Sequence, residues 1–180
     1  MRKVIGAINM TLDGVCDHTA ISPDEEVHDH YTALLAAGGE ILYGRITYEL
    51  MQFWQELLKK PSGEKSMDDF ALAMDKIEKV VFSHTLKDTG WESASLAKND
   101  LAQEVLLRKQ QAGKDIFVGS RSLIIQLLKL NLLDELQLCI HPIIAGKGLP
   151  LFENMQDRAE LKLLKTKTFA SGAVLIYYGK

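Results

Sequence analysis

At 180 residues, 47% of them hydrophobic and 25% charged, the chain falls where one domain buries a substantial core, so a single domain over residues 1–180 is expected. Its 21 lysines and arginines against 24 aspartates and glutamates leave a formal net charge of −3, which excludes a global basic field and, with it, nucleic acid as a main partner. No uncharged apolar stretch reaches the roughly 18 residues of a membrane-spanning helix, and Met1-Arg2-Lys3 runs into apolar residues without a signal-peptide layout, so a soluble cytoplasmic protein with no membrane partner is expected.

Residues 4–12 are mostly apolar without helical spacing and end at Asp13-Gly14, which predicts a central strand buried on both faces. Ser22-Pro23-Asp24-Glu25 reads as a helix start: a capping hydroxyl, a proline whose missing N–H costs nothing, and a glutamate three residues after the cap. Val27, Tyr31, Leu34 and Leu35 share one face of that helix, and Gly38-Gly39 ends it. Residues 40–44 predict a short strand, followed by a helix that Thr47 caps and that buries Met51, Trp54 and Leu58. The lysine-rich stretch 59–65, with Pro61 and Gly63, predicts an exposed loop before a helix over 69–77.

A strand over 79–83 follows, then a helix opened by Asp100 with Gln103 and closed near Ala112-Gly113, then a strand over 115–119. The next helix carries Leu123, Ile124, Leu127 and Leu128. This alternation of strand and helix predicts a mainly parallel sheet with helices on its faces. The last quarter differs: residues 136–141 alternate, and 160–169 faces 173–178 across Ala170-Ser171-Gly172, which predicts antiparallel C-terminal strands. Cys16 and Cys139 have neither metal-site spacing nor the density of a disulfide framework, so both are expected as buried free thiols in a reducing compartment.

Three strand exits carry the chemistry. Gly44-Arg45-Ile46-Thr47 offers a bare backbone, a guanidinium fork and a hydroxyl at a helix start. Ser83-His84-Thr85 sets three polar side chains beyond a strand's C-terminal end, where ligands of open α/β sheets bind. Gly119-Ser120-Arg121-Ser122 joins a strand to an apolar helix, without the second glycine of a GxGxxG fingerprint. Helix starts expose unpaired N–H groups and a partial positive charge, so together the three suggest a bound nucleotide. Taken singly, the first reads as an ordinary turn with a surface arginine and a capping threonine, and the other two equally as a strand end or a helix start. His18, His28 and His30 have no carboxylate or cysteine at ligand spacing, so no metal is expected.

These segments are preceded by a run from Lys3 through Gly6-Ala7 to Asp13-Gly14. They are followed by Leu133-Asp134-Glu135-Leu136 and by a run from His141-Pro142 through Gly146-Lys147-Gly148 to Phe152. In that order the chain resembles the dihydrofolate reductase superfamily, in the branch of the C-terminal reductase domain of riboflavin biosynthesis. The resemblance implies a three-layer α/β/α fold, mostly parallel with antiparallel C-terminal strands, and bound NADPH. It implies Ala7 near the nicotinamide, Gly44, Arg45 and Thr47 at the phosphates, Ser83, His84 and Thr85 at the 2′-phosphate, and Gly119, Ser120, Arg121 and Ser122 at the pyrophosphate. Two departures stand out: the family's usual Gly-Gly is here Gly119-Ser120, and its basic residue after the serine of the second segment is His84. For the proton that accompanies a hydride, the candidates are Asp13 at the first strand's end and Glu26 in the first helix, where folate reducers carry a carboxylate.

The implied activity is an NADPH-dependent reductase acting on a small pterin-, pyrimidine- or related heterocyclic substrate. The alternative is a nucleotide-binding protein of the same fold without catalysis. A homodimer is expected as well, from the resemblance and from Leu161, Leu163, Val174 and Ile176 on the C-terminal strands.

Overall fold

The computed structural model describes residues 1–153, 155 and 158–180. Its sheet is organised around β1 (Val4–Thr11), which pairs in parallel with β5 (Ile116–Val118) on one side and β6 (Glu135–His141) on the other. Beyond β5 lie β2 (Glu40–Gly44), β3 (Glu78–Phe82) and β4 (Ala94–Leu96), all parallel. Beyond β6 the direction reverses through β8 (Val174–Gly179) and β7 (Lys162–Thr168), giving the order β4-β3-β2-β5-β1-β6-β8-β7. The parallel part places all its C-terminal strand ends on one edge, where the connections to α1 (Glu25–Ala37), α2 (Arg45–Lys59) and α5 (Arg121–Lys129) begin.

The sheet is covered on both faces. Under α1, α2 and α3 (Lys65–Lys76) sit Ile5, Ile41, Tyr43 and Phe117 of the strands, met by Met74 of α3. Under α4 (Leu101–Gln110) and α5 sit Val4, Leu42 and Ile116 of the strands, met by Val105 of α4 and Ile124 of α5. A third, smaller core joins Val27 of α1 to Cys139, Leu175 and Phe169 of the antiparallel end. The three-layer α/β/α architecture with antiparallel C-terminal strands is thus present. At the opposite edge from the helix starts, buried Glu40 receives Arg2 and Arg108 as ion-pair partners, which ties the beginning of the chain to β2 and α4.

Several local expectations change. β1 is buried on both faces only over Val4, Ile5 and Gly6; from Ala7 to Met10 it is half-buried, because a cleft opens over that part of the strand. α1 is capped by Asp24, whose carboxylate accepts the Val27 amide at 2.9 Å, and so starts later than a Ser22 cap would place it. Asp24 satisfies the orphan donor and also complements the helix dipole, which a serine cannot do. α2 starts directly at Arg45 after Gly44, so Thr47 lies in its first turn instead of capping it. Tyr48 is buried, its hydroxyl donating to the Thr89 carbonyl at 2.8 Å, whereas Met51, Trp54 and Leu58 are only half-buried. α3 begins at Lys65, inside the stretch read as a loop, and β4 has no counterpart in the sequence reading.

Candidate active site

A cavity of about 560 Å³ opens where β1, β2 and β5 end, walled by α1 and α2. Ala7 and Asn9 form its floor, Thr47, Met51 and Trp54 line it from α2, and Gly119 and Arg121 close one end. Its mouth is shaped by two loops that hold each other: Val15 bridges Pro150, and the Cys16 amide donates to the Leu149 carbonyl at 2.9 Å.

At the β2/β5 end, two helix starts meet. Ser120, at the start of α5, does not cap its own helix; its Oγ accepts the amide proton of Gly44, the residue that precedes α2, at 2.8 Å. Among the described residues no side chain caps α2 or α5, so first-turn amides of both helices remain available to an anion. A Cβ on Gly119 would lie 2.6 Å from the Tyr43 ring, so only glycine fits between β5 and that ring. A Cβ on Gly44 would come within 3.4 Å of the Ser122 hydroxyl.

Of the residues singled out in the sequence, Ala7, Thr47, Gly119 and Arg121 line the cleft, and Gly44, Ser120 and Ser122 lie together behind the end that Gly119 and Arg121 close. Arg121 donates from Nε to the Pro150 carbonyl at 2.7 Å and pairs with Glu153 at 3.1 Å, tying a mouth loop to α5. Arg45 lies on the exposed start of α2, where Nη1 meets both oxygens of Glu49 at 2.9 Å. Ser83, one strand further along the same edge, accepts the amides of Thr85 and Leu86 at 3.2 and 2.9 Å; His84 and Thr85 are exposed.

The two candidate acids stand outside the lining. Asp13 accepts from the Thr11 hydroxyl and from the amides of Ala145 and Gly146 at 3.1 and 2.7 Å, and these bonds lower its pKa to about 2. Glu26 accepts the Ala170 amide at 2.8 Å and so fastens α1 to the turn between β7 and β8.

Two features of the cleft are absent from the sequence reading. The first is a polar cluster: Asn9 Oδ1 accepts from the Tyr31 hydroxyl at 3.2 Å and lies 2.9 Å from His141 Nε2, which therefore carries the proton. Burial lowers the pKa of His141 and raises that of Tyr31 well above the ordinary phenol value, so both are neutral near pH 7. Cys139 lies behind them with its thiol pushed up to about 12 by burial. Cys16, expected to be buried, is only half-buried at the cleft. The second feature is an aromatic wall. Trp54 and Phe70 meet edge-on at 4.6 Å between ring centroids, and His28 stands 6.0 Å from each. Burial lowers the pKa of His28, which forms part of the pocket wall as a neutral ring.

The fold is that of a dihydrofolate reductase-like α/β protein, and the cleft lies at the C-terminal edge of its parallel strands. The chain belongs to the RibD C-terminal domain family, whose model matches residues 2–175. It is 33% identical over 181 residues to the uncharacterized protein YyaP of Bacillus subtilis (strain 168), covering 98% of this chain and 94% of that protein. Among solved structures, a Shewanella sp. PV-4 protein provisionally named for riboflavin biosynthesis superposes with a TM-score of 0.73 at 19% identity, over 99% of this chain and 98% of that one. A pyrimidine reductase-like protein of Corynebacterium diphtheriae gives 0.63 at 16%, over 99% and 91%. At these identities the structural likenesses speak for the fold.

Proposed function

We propose that the protein is an NADPH-dependent reductase that passes a hydride to a small pterin-, pyrimidine- or related heterocyclic substrate. The observation that carries this reading is the meeting of two uncapped helix starts at Gly44 and Ser120, opening directly on a largely apolar cleft. A dinucleotide needs both parts: an anion cradle for its phosphates and a dry wall for its nicotinamide. The bare backbone at Gly119, fixed by the Tyr43 ring, fits the first need, and the small Ala7 on the cleft floor fits the second.

On this reading Gly44, Arg45, Thr47 and Gly119 to Ser122 hold the phosphates, and Ser83, His84 and Thr85 take the 2′-phosphate end. Bound NADPH supplies the hydride; the chain's part is to orient the two rings and exclude water. The protein works in the cytoplasm, in keeping with its two free cysteines. It pairs as a homodimer through its C-terminal strands: β7 is an open, fully exposed edge on which Leu163 and Leu164 are more than half-exposed. A monomer in sedimentation at micromolar concentration removes that last element.

The test pairs a direct NADPH titration with NADPH consumption against folates, ribosylaminopyrimidines and quinones. Turnover of one class supports the reading. Binding without turnover across the panel leaves a nucleotide-binding protein of this fold, and failure to bind NADPH removes the reading altogether.

A further inference from the structure

The polar equipment of the cleft bears on its substrate. Asn9 Oδ1 already receives the Tyr31 hydroxyl and the His141 N–H, while Asn9 Nδ2 has no partner among the described residues. The amide is fixed in this sense. Were it reversed, the Tyr31 hydroxyl proton would have no acceptor among the described residues. The cluster therefore presents an N–H donor, held from behind by two neutral groups, at the floor of the cleft. The same cavity is lined by the aromatic pair Trp54 of α2 and Phe70 of α3, with Leu34 of α1 and Met51 of α2.

Charge is scarce here. Among the described lining residues Arg121 is the lone arginine or lysine; it belongs to the α5 start, and two of its nitrogens are already engaged by Pro150 and Glu153. His28 and the His141 behind Asn9 are held neutral by burial, and His18 lies at the mouth beside Asp17. A phosphate or carboxylate on the substrate would enter a mostly apolar pocket without a counter-ion, which is among the costliest burials in protein chemistry.

We infer that the substrate of this cleft is an uncharged, planar ring compound that lacks a phosphate or carboxylate arm and presents a carbonyl or ring-nitrogen acceptor to Asn9. The inference rests on the cleft being the substrate pocket of the proposed reductase. Asn9 is then the specificity residue: its donor selects for an acceptor on the ring, and the aromatic wall selects for flatness.

Three probes of similar shape isolate the terms: coumarin, planar and uncharged with a carbonyl; coumarin carboxylate, the same ring with a charge; and naphthalene, the same shape without an acceptor. Each is titrated by calorimetry into the wild-type protein and Asn9→Asp, with and without saturating NADP⁺. The aspartate still accepts from Tyr31 and His141 but has no donor to offer. Melting curves and NADPH affinity report whether the variant keeps its fold.

Coumarin should bind at least about tenfold more tightly than its carboxylate, and Asn9→Asp should weaken coumarin by about tenfold more than it weakens naphthalene. Equal or tighter binding of the carboxylate, no coumarin binding at all, or a coumarin affinity indifferent to Asn9→Asp in a folded variant overturns the inference. Loss of cofactor binding with the probe pattern intact strikes at the reductase reading alone and leaves the ligand class standing.

Discussion

Ser120 Oγ accepts the amide proton of Gly44 at 2.8 Å, so the start of one helix is held by the residue that opens another, 76 positions away. The bond sets the spacing between two sets of free amide donors. Ser120 is buried, and Ser120→Ala leaves the Gly44 N–H without its partner, an omission that costs about 1–3 kcal/mol. In a chain of this size, thermal unfolding should fall by roughly 2–10 °C, and NADPH affinity should fall with it because the cradle loosens. A variant with wild-type melting and wild-type affinity would show the bond to be incidental.

Arg45→Ala distinguishes a phosphate ligand from a surface ion pair. The Arg45–Glu49 contact is between half-exposed side chains one helical turn apart, and such pairs contribute about 0.3–0.5 kcal/mol, so stability should barely move. If Arg45 turns to the cofactor, it loses charge-assisted hydrogen bonds worth about 1.5–3 kcal/mol, and NADPH binding weakens roughly ten- to a hundredfold. Calorimetry with NADPH and NADH reads both quantities. A cofactor affinity unchanged in the variant removes Arg45 from the site.

Lys79 gives the protein a dependence on alkaline pH. Its ammonium is buried, donating to the Ile77 carbonyl at 2.8 Å and to the Ser93 hydroxyl at 2.7 Å, 4.1 Å above the Trp91 ring. Burial lowers its pKa from 10.5 to about 8, against the opposing pull of Asp75 and Glu78. Between those two values the unfolded chain binds the proton that the folded one has released, so stability rises with pH across that window. The buried Cys139 thiol works the other way above about pH 9, and the buried phenol of Tyr43 above about pH 10, since the fold keeps both protonated. Denaturant titrations from pH 7 to pH 9 should show a rising limb that Lys79→Met flattens, and an identical slope in both proteins would refute it.

Asp13 sets the acid limit of the mouth loops. Its pKa is lowered to about 2 from 3.8 by the Thr11 hydroxyl and the Gly146 and Ala145 amides, so the anchoring is complete above the ordinary value and disappears as pH falls through the lowered one. Amide exchange at Ala145 and Gly146 should accelerate in Asp13→Ala at neutral pH, and in the wild type only below about pH 4. Activity assays on Asp13→Asn and Glu26→Gln complete the test: anchoring residues alter stability and loop exchange, whereas a proton donor takes kcat down with it.

How much of this was legible varies with the range of the forces involved. Glu40–Gly44 was readable to its ends because a short apolar run closed by glycine is a local signal, and so was the Asp100 cap on Gln103. The start of α1 was not, because Ser22 and Asp24 are both competent caps and the choice falls to tertiary contacts, among them the approach of Ser171 to Asp24. β4 escapes because three mixed residues become a strand only through their register with Lys79, Val80 and Val81. The edge proposed for the cofactor announced itself through glycines and hydroxyls at strand exits. The Asn9–His141 pair did not: each residue reads as one more position in an apolar strand, and they are 132 residues apart.

That separation has a consequence for how the protein comes into being. β1 has as its partners β5 and β6, which emerge from the ribosome more than a hundred residues after it. Until His141 has been synthesised, Tyr31 and Asn9 lack the group that completes their cluster, and the C-terminal strands that cover α1 follow later still. An N-terminal fragment therefore holds β2 and the start of α2 without a finished cleft beside them. A nascent chain completes the cleft late, and a truncation before β6 leaves Asn9 without His141 behind it.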